Sequence, residues 1–239
     1  MNDASAQHSV KGQEHWTTKG PAKLFLWEKR APGGPKKGTI LFVHGSSMAS
    51  QPTFDLQVPG RPGAMDYFVS QGFDTWSVDM EGYGRSTKDR GIDATISEGA
   101  DDCAAASEYI LKTRNSGPLY VYGISSGALR AALFAQRHPE RVKRLALDAH
   151  VWTGQGSPTL AERKKKLPEL LKTKRRPIDR KFVRSIFERD HPGTADDNVI
   201  EAFAKHILEL DDSIPNGTYI DMCNHLPVVD PTKILVPTS

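Results

Sequence analysis

The sequence predicts an α/β fold with a mostly parallel sheet and helices on both of its faces. Over residues 1–151, apolar segments of strand length alternate with amphipathic segments of helix length, a pattern typical of βαβ units. Several of these strands run directly into turns of glycine and small polar residues. The chain has 239 residues, 38% of them hydrophobic, which is enough for one α/β core with a smaller inserted unit.

The first half of the chain gives four strands in order. Residues 14–30 predict a β-hairpin, because two strand-like runs flank a short turn at residues 19–21. A third strand starts at Thr39 and a fourth covers residues 74–80. Residues 65–71 between them predict a helix that ends before a glycine.

The next segments continue the alternation. Thr95 and Glu98 have the spacing of a capping box and predict the start of a helix. Residues 118–135 read as a strand, a glycine-rich turn and an alanine-rich helix, and residues 141–151 contain a sixth strand. The core is therefore predicted to cover residues 1–151.

Residues 152–231 are predicted to form a helical cap inserted after the sixth strand, and residues 232–239 the return to the core. The cap should cover the carboxyl ends of the strands, where open α/β sheets bind ligands, and shape the substrate pocket. Four helical segments are expected in it: one opening at residues 159–162, then residues 178–189, a stripe over 199–208, and 218–226.

The turn at residues 123–127, Gly-Ile-Ser-Ser-Gly, has the form of a nucleophile elbow. A serine that attacks a carbonyl must stand clear of its backbone, so it sits on a strained strand-to-helix turn whose neighbours two residues away are small. Ser125 occupies that position between Gly123 and Gly127, and the pattern predicts a positive φ there. The alternative is a glycine-rich turn without chemistry, because the five-residue pattern alone is common.

The loop after the third strand predicts half of an oxyanion hole. Residues 39–50 read as a buried strand that ends in His44-Gly45 and small polar residues. An acyl-transfer oxyanion needs two fixed N–H donors, one from the residue after the nucleophile and one from this loop. Ser126 and Ser46 are the candidates, whereas His44 is expected to be a structural turn residue rather than a base.

Three motifs together resemble the α/β-hydrolase superfamily. They are HGSS from residue 44, VDMEGYGRS from residue 78 and YGISSG from residue 122. The similarity is to serine esterases and lipases with a helical cap, and it extends from about residue 14 to the end. It implies a serine hydrolase that cleaves a carboxylic ester or related acyl bond. Dehalogenases and epoxide hydrolases of this superfamily use an elbow aspartate, so Ser125 disfavours those reactions.

The resemblance implies a triad in the chain order serine, acid, histidine, with the last two after the seventh and eighth strands. Residues 231–238 read as the lead-in to the seventh strand, and both expected positions fall beyond Ser239. Asp148 near the end of the sixth strand is a candidate acid, although an aspartate there commonly holds a loop. Five histidines are weak candidates for the base, with structural or surface roles expected: His138, His150, His191, His206 and His225.

Two further expectations follow from the resemblance, because the seventh and eighth strands would lie beyond Ser239. Residues 144–150 should form an exposed edge strand that promotes association. The 239 residues alone should be inactive or nearly so, since a serine without a base is a weak nucleophile.

Composition sets the remaining expectations. The net charge of +3 does not favour nucleic acid, and no segment predicts a signal peptide or a membrane span, so a cytoplasmic protein is expected. Cys103 and Cys223 lack metal-ligand spacing and are expected to be buried thiols. The expected ligand is a small-molecule acyl substrate, with no metal, cofactor or membrane partner; a homo-oligomer stays open.

The predicted cap contains a strongly basic segment, because half of the 22 residues from 163 to 184 are Lys or Arg. One interpretation is a solvated surface whose long side chains cover apolar groups. The other is attraction for an acidic substrate or partner.

Two functions from different classes remain at this point. The first is the serine hydrolase with Ser125 attacking and the Ser46 and Ser126 N–H groups binding the oxyanion. The second is a non-catalytic binding protein on the same fold, favoured by the absence of a triad histidine at the expected place.

Overall fold

The computed structural model describes residues 10–189 and 191–239. The predicted absence of a signal peptide rests mainly on residues 1–9 and lies outside the described part. The strands are β1 (Gln13–Lys19), β2 (Ala22–Lys29), β3 (Gly38–Val43), β4 (Phe73–Val78), β5 (Leu119–Ile124), β6 (Val142–Asp148), β7 (Arg175–Pro177) and β8 (Ser213–Pro215). The helices are α1 (Ser50–Phe54), α2 (Ala64–Ser70), α3 (Ile96–Arg114), α4 (Ser126–Arg137), α5 (Pro158–Lys165), α6 (Leu167–Leu170), α7 (Arg180–Glu188), α8 (Asp197–Leu210) and α9 (Gly217–Asn224).

The main sheet has six strands in the order β1-β2-β4-β3-β5-β6. Strands β1 and β2 form the predicted hairpin, and β2 pairs antiparallel with β4. All further pairs are parallel, which confirms the predicted fold class. Because β3 and β5 are parallel neighbours, the loops that follow them meet at the same edge of the sheet.

Helices cover both faces of this sheet. In β3, Ile40 and Phe42 contribute to one apolar cluster, while Leu41 and Val43 contribute to a larger cluster on the other face. This alternation is what a strand buried on both sides requires. Helices α3 and α4 pack against each other on the larger side. Helix α3 opens with the predicted capping box, in which Thr95 and Glu98 satisfy each other's backbone N–H groups.

The expectation of an unpaired edge at residues 144–150 is wrong for the middle of β6. The Leu145 N–H donates to Pro237 O at 2.9 Å, and the Leu145 carbonyl accepts from Ser239 N at 3.0 Å. Leu147 N donates to Ser239 O at 2.9 Å. The last residues run parallel to β6 because Ile234 and Val236 pack against the apolar cluster under it.

The segment predicted as a helical cap contains helices α5 to α9 and one two-stranded ribbon. The ribbon pairs β7 with β8 in antiparallel register, and the sequence analysis missed it because each strand has only three residues. Helix α5 begins earlier than predicted, with Ser157 as its N-cap. The domain boundaries at residues 151 and 231 stay a prediction.

The helical segment docks on the loop that follows β4. The buried Asp211 carboxylate accepts hydrogen bonds from Gly84 N at 3.0 and 3.1 Å. Gly217 N donates to Asp93 O at 2.9 Å, and the Thr218 hydroxyl donates to Ala94 O at 2.7 Å. These bonds fix residues 211–218 against the core.

Gly123 and Gly127 let helix α4 approach the sheet. A Cβ placed on Gly127 would lie 2.3 Å from Val43 O, and one on Gly123 would lie 2.5 Å from Gly127 O. Both distances are far shorter than a van der Waals contact. The atoms concerned belong to the backbone, which cannot shift as a flexible side chain can. The two glycines are therefore required by close packing of α4 on β3 and β5.

His44 closes the loop after β3 as a neutral, buried side chain. Its Nδ1 lies 2.6 Å from Gly45 O, and its Nε2 accepts from Met80 N at 3.0 Å. Nδ1 must therefore carry the proton. Burial, and next the nearby Arg130 charge, lowers the pKa of His44 to about 3. The expected structural role of His44 agrees with this geometry.

Both cysteines are free and buried, as expected from their spacing. No helix in the described part of the chain is long and apolar enough to cross a membrane.

We predict that Gly127→Ala destabilises the protein by roughly 1 to 3 kcal/mol, because the added methyl group collides with backbone. In an ordinary helix interior the same change stabilises by about 1 kcal/mol. Gly117→Ala is the matched control, since nothing lies within 4 Å of a Cβ at that position. Urea unfolding of both variants measures the difference, and a stabilised Gly127→Ala protein would contradict the packing account.

We also predict a pH dependence of stability from His44. Its pKa is lowered on folding, so the unfolded chain binds this proton first as the pH falls. The contribution of neutral His44 to the free energy of unfolding is fully present above about pH 6.5. It is lost toward pH 3, at up to about 1.4 kcal/mol per pH unit. The free energy of unfolding measured in urea at pH 7, 6 and 5 should fall more steeply in the wild type than in His44→Gln. Equal slopes would show that His44 is not held neutral.

Candidate active site

Ser125 lies at the turn between β5 and α4 in a strained backbone conformation. Its φ is 56° and its ψ is −127°, and such a conformation costs a non-glycine residue about 1–3 kcal/mol. The predicted positive φ is confirmed. The Ser125 N–H donates to Asp148 O at 2.8 Å, which ties the turn to the end of β6. The residue is exposed, and its side chain makes no capping hydrogen bond to α4.

The residues that carry the two predicted oxyanion donors lie next to Ser125. Ser126 is the first residue of α4, so its N–H has no intrahelical acceptor. The loop after β3 is adjacent, because a Cβ on Gly45 would lie 3.5 Å from Ser125 Cβ. Ser46 follows directly and is buried. The helix N-terminus and the loop together favour a negative charge at this point.

The Ser46 backbone is held by a tyrosine from the second motif. The Tyr83 hydroxyl donates to Ser46 O at 3.1 Å, and the Tyr83 ring packs edge-on against His44 at 4.9 Å. Tyr83 is fully buried. The loop that carries the Ser46 N–H is thus fixed before any ligand binds.

Arg130 supports the same loop from inside helix α4. Its Nη1 donates to His44 O at 3.1 Å, and its Nη2 donates to the Thr218 hydroxyl at 2.8 Å. The guanidinium also lies 5.4 Å from the Tyr83 ring centroid. One buried cation therefore links the elbow helix, the loop after β3 and helix α9.

Asp148, the candidate acid, accepts a hydrogen bond from a tyrosine instead of a histidine. Tyr122 Oη donates to Asp148 Oδ2 at 2.6 Å. Burial, and then this bond to Asp148, raises the pKa of Tyr122, which keeps its hydroxyl protonated. The carboxylate of Asp148 is exposed and makes no contact with an imidazole in the described residues. Its backbone carbonyl, in contrast, holds Ser125.

No histidine of the described residues forms a hydrogen bond with the Ser125 hydroxyl. His150 follows Asp148 by two residues, and its Nε2 is buried without a hydrogen-bond partner. Burial lowers the pKa of His150. His225 pairs with Asp221 at 2.9 Å on helix α9. Ser125, Ser126 and the loop that carries Ser46 thus lie together. No acid–base pair from residues 10–189 or 191–239 forms a hydrogen bond with the Ser125 hydroxyl.

Helix α9 reaches the same loop through Tyr219. The Tyr219 hydroxyl lies 3.2 Å from Ser47 Oγ, directly beside Ser46. Residues between 153 and 226 also line a separate cavity of about 450 Å³ between α5 and α9, and Ser125 is not among its lining residues. The helical segment therefore contacts the candidate oxyanion loop at Tyr219.

Sequence reasoning missed three residues that shape this site. Arg130 could have been found from the sequence, because it is a charged residue within the apolar run of α4. A buried charge needs hydrogen-bond partners that compensate for its lost hydration. Tyr83 lay within a quoted motif but had no assigned role. Tyr219 gave no local signal, since its contact joins segments 172 residues apart.

Comparison with solved structures shows the same fold in several esterases. An esterase from Exiguobacterium antarcticum has a TM-score of 0.66 at 17% identity, covering 95% of this chain and 79% of that one. A thermophilic esterase from Thermogutta terrifontis gives 0.59 at 22% identity, with 96% and 78% covered. A carboxylesterase from Bacillus subtilis gives 0.61 at 15% identity, with 97% and 74% covered. A sequence search of curated proteins finds no match.

The sequence model of one protein family matches most of the chain. It is described as serine aminopeptidase, S33, and it matches residues 34–229, a range that includes the loop after β3, the elbow and nearly all of the helical segment. The chain belongs to this family and is a hydrolase of the α/β-hydrolase superfamily.

Proposed function

We propose that the protein is an esterase-like serine hydrolase in which Ser125 forms an acyl-enzyme. The observation that carries the proposal is the strained, exposed Ser125, with φ of 56°, at the start of α4 and beside the loop after β3. Strain of this kind persists only where the surrounding structure imposes it, and here it serves to present the hydroxyl.

The proposed reaction follows from the geometry. The Ser125 oxygen attacks the acyl carbon while a base takes its proton, and the carbonyl oxygen becomes an oxyanion. The Ser126 and Ser46 N–H groups donate to that oxygen. Collapse of the tetrahedral intermediate expels the alcohol with a proton and leaves an ester on Ser125, which water then cleaves.

The proposal assigns the nucleophile and the oxyanion donors, and it leaves the acid and base unassigned. Asp148 remains a candidate acid only if its carboxylate leaves Tyr122, and His150 has a free Nε2 but no bond to Ser125. Esterases among the structural neighbours support the ester bond as the substrate class. A small-molecule acyl compound is the proposed substrate.

The second candidate is a non-catalytic binding protein on the same fold. It is favoured by one observation, the absence of a histidine hydrogen-bonded to Ser125 in the described residues. The two functions differ in whether any turnover depends on the Ser125 hydroxyl.

We predict that hydrolysis of 4-nitrophenyl acetate by the 239-residue protein depends on Ser125. Removal of a triad nucleophile costs about a millionfold in turnover in a complete enzyme, so Ser125→Ala should fall to the uncatalysed background whatever the starting rate. Ser126→Ala is the matched control, because it keeps the backbone N–H and removes only a hydroxyl that has no partner; its rate should stay within about tenfold.

The rate of 4-nitrophenol release, after subtraction of the rate in buffer, gives the activity of all three proteins. Equal rates in wild type and Ser125→Ala would contradict the proposal and favour the binding protein. Equal losses in both variants would contradict the assignment of Ser125 over Ser126.

A further inference from the structure

Two arginines of the cap stack on one tyrosine beside the candidate oxyanion loop. The guanidinium carbon of Arg176 lies 3.9 Å from the Tyr219 ring centroid, and that of Arg163 lies 4.5 Å from it. Arg163 comes from α5, Arg176 from β7 and Tyr219 from α9. Three separate elements of the cap therefore converge on this point.

Five of the other nine basic residues in the segment from 163 to 184 have acidic partners. Lys165 pairs with Glu162 at 2.5 Å, and Lys172 pairs with Glu169 at 2.7 Å. Lys174, Arg180 and Arg184 also pair with carboxylates, at Asp93, Glu201 and Glu188 respectively. A solvated surface explains those residues.

Arg163 and Arg176 have no such partner. No carboxylate of the described residues lies within 4.0 Å of either guanidinium. Two neighbouring cations without a counter-charge repel each other, and the repulsion is stronger where they are partly buried. The arrangement is costly unless an anion binds there.

Both side chains also keep unused hydrogen-bond donors. Arg176 Nη1 donates to Pro215 O at 2.9 Å and to Asn216 Oδ1 at 3.0 Å, whereas its Nη2 is buried without a partner. Among the described residues, the Arg163 guanidinium has one hydrogen-bond contact, with Met222 Sδ at 3.9 Å, a weak acceptor. An orphaned buried donor is costly, and a bound acceptor relieves that cost.

The arginine pair lies close to the loop beside the proposed nucleophile. The Tyr219 hydroxyl lies 3.2 Å from Ser47 Oγ, and Ser46 precedes Ser47 in the loop that packs against Ser125. Burial raises the pKa of Tyr219, but the two arginines and the serine hydroxyls outweigh it and lower the pKa overall. Positive potential therefore extends from the cap toward the acyl site.

We propose that Arg163 and Arg176, placed on Tyr219, form a subsite for a carboxylate carried by the substrate, so that the preferred substrates are half-esters of short dicarboxylic acids. A carboxylate matches the planar donor fork of arginine. It would accept from Arg163 and from the free donor of Arg176, and its charge would compensate both cations. This inference rests on the proposed function for the ester bond, while the anion subsite itself does not require catalysis.

The binding test uses glutarate and its neutral analogue glutaramide, titrated calorimetrically into the Ser125→Ala protein. Glutarate should bind, and glutaramide should bind at least about tenfold more weakly, since charge-assisted bonds are the stronger kind. Arg163→Met and Arg176→Met should each weaken glutarate binding about tenfold or more. Lys165→Met is the control, because it removes a cap cation that is already paired, and it should keep the wild-type affinity.

Arg176 also bonds the backbone of β8, so Arg163→Met provides the variant that keeps those bonds. Circular dichroism confirms that each variant is folded. Glutarate binding that is unchanged in folded Arg163→Met, or equal binding of glutarate and glutaramide, would overturn the subsite. An equal loss of binding in Lys165→Met would also overturn it, because it would indicate a diffuse charge effect.

The kinetic test separates the subsite from the proposed function. Mono-4-nitrophenyl glutarate and 4-nitrophenyl valerate share a five-carbon acyl chain and differ in the terminal carboxylate. The glutarate ester should have a kcat/KM at least about tenfold higher, and Arg163→Met should lower the ratio of the two kcat/KM values to about one. Ser125-dependent hydrolysis without any preference overturns the subsite alone; glutarate binding without hydrolysis supports the subsite and contradicts the function.

Discussion

The buried guanidinium of Arg130 is the interaction on which the site depends. A charge in the core is expensive unless hydrogen bonds and aromatic contacts compensate for it. Here the His44 and Thr218 oxygens accept from it and the Tyr83 ring lies beside it. Since the residue belongs to the elbow helix, these contacts hold the loop after β3 and helix α9 in place relative to Ser125.

The positions of the proposed nucleophile and of its proposed oxyanion donors are then set by the packing of the surrounding elements. Gly127 lets the elbow helix approach the backbone of β3, and the loop at Gly45 lies beside Ser125. The Asp148 carbonyl holds the strained turn through its bond to the Ser125 N–H. Pre-organised donors of this kind stabilise a developing oxyanion without reorganisation during the reaction.

Features that depend on short stretches of sequence were predicted correctly. The elbow at residues 123–127, the hairpin and the capping box at Thr95 each depend on residues within a few positions of one another. The two-stranded ribbon was missed because its strands are short and lie 38 residues apart. The pairing of residues 237–239 with β6 was also missed, since it depends on a contact about 90 residues away in the chain.

The basic segment from 163 to 184 also shows what the sequence could not predict. Composition alone could not separate its two interpretations, because both predict many lysines and arginines. The structure separates them residue by residue: Lys165 and Lys172 have carboxylate partners, whereas Arg163 and Arg176 face Tyr219. Charge pairing depends on residues that are distant in sequence, and no local pattern in this segment predicts them.

The central claim is that Ser125 is the group that attacks. Incubation of the 239-residue protein with a fluorophosphonate, followed by peptide mass spectrometry, tests it most directly, because a phosphonylated residue identifies the nucleophile. We expect one adduct, on Ser125, that is absent from Ser125→Ala and present in Ser126→Ala. An adduct on another residue, or no adduct under conditions that label a known serine esterase, would contradict it.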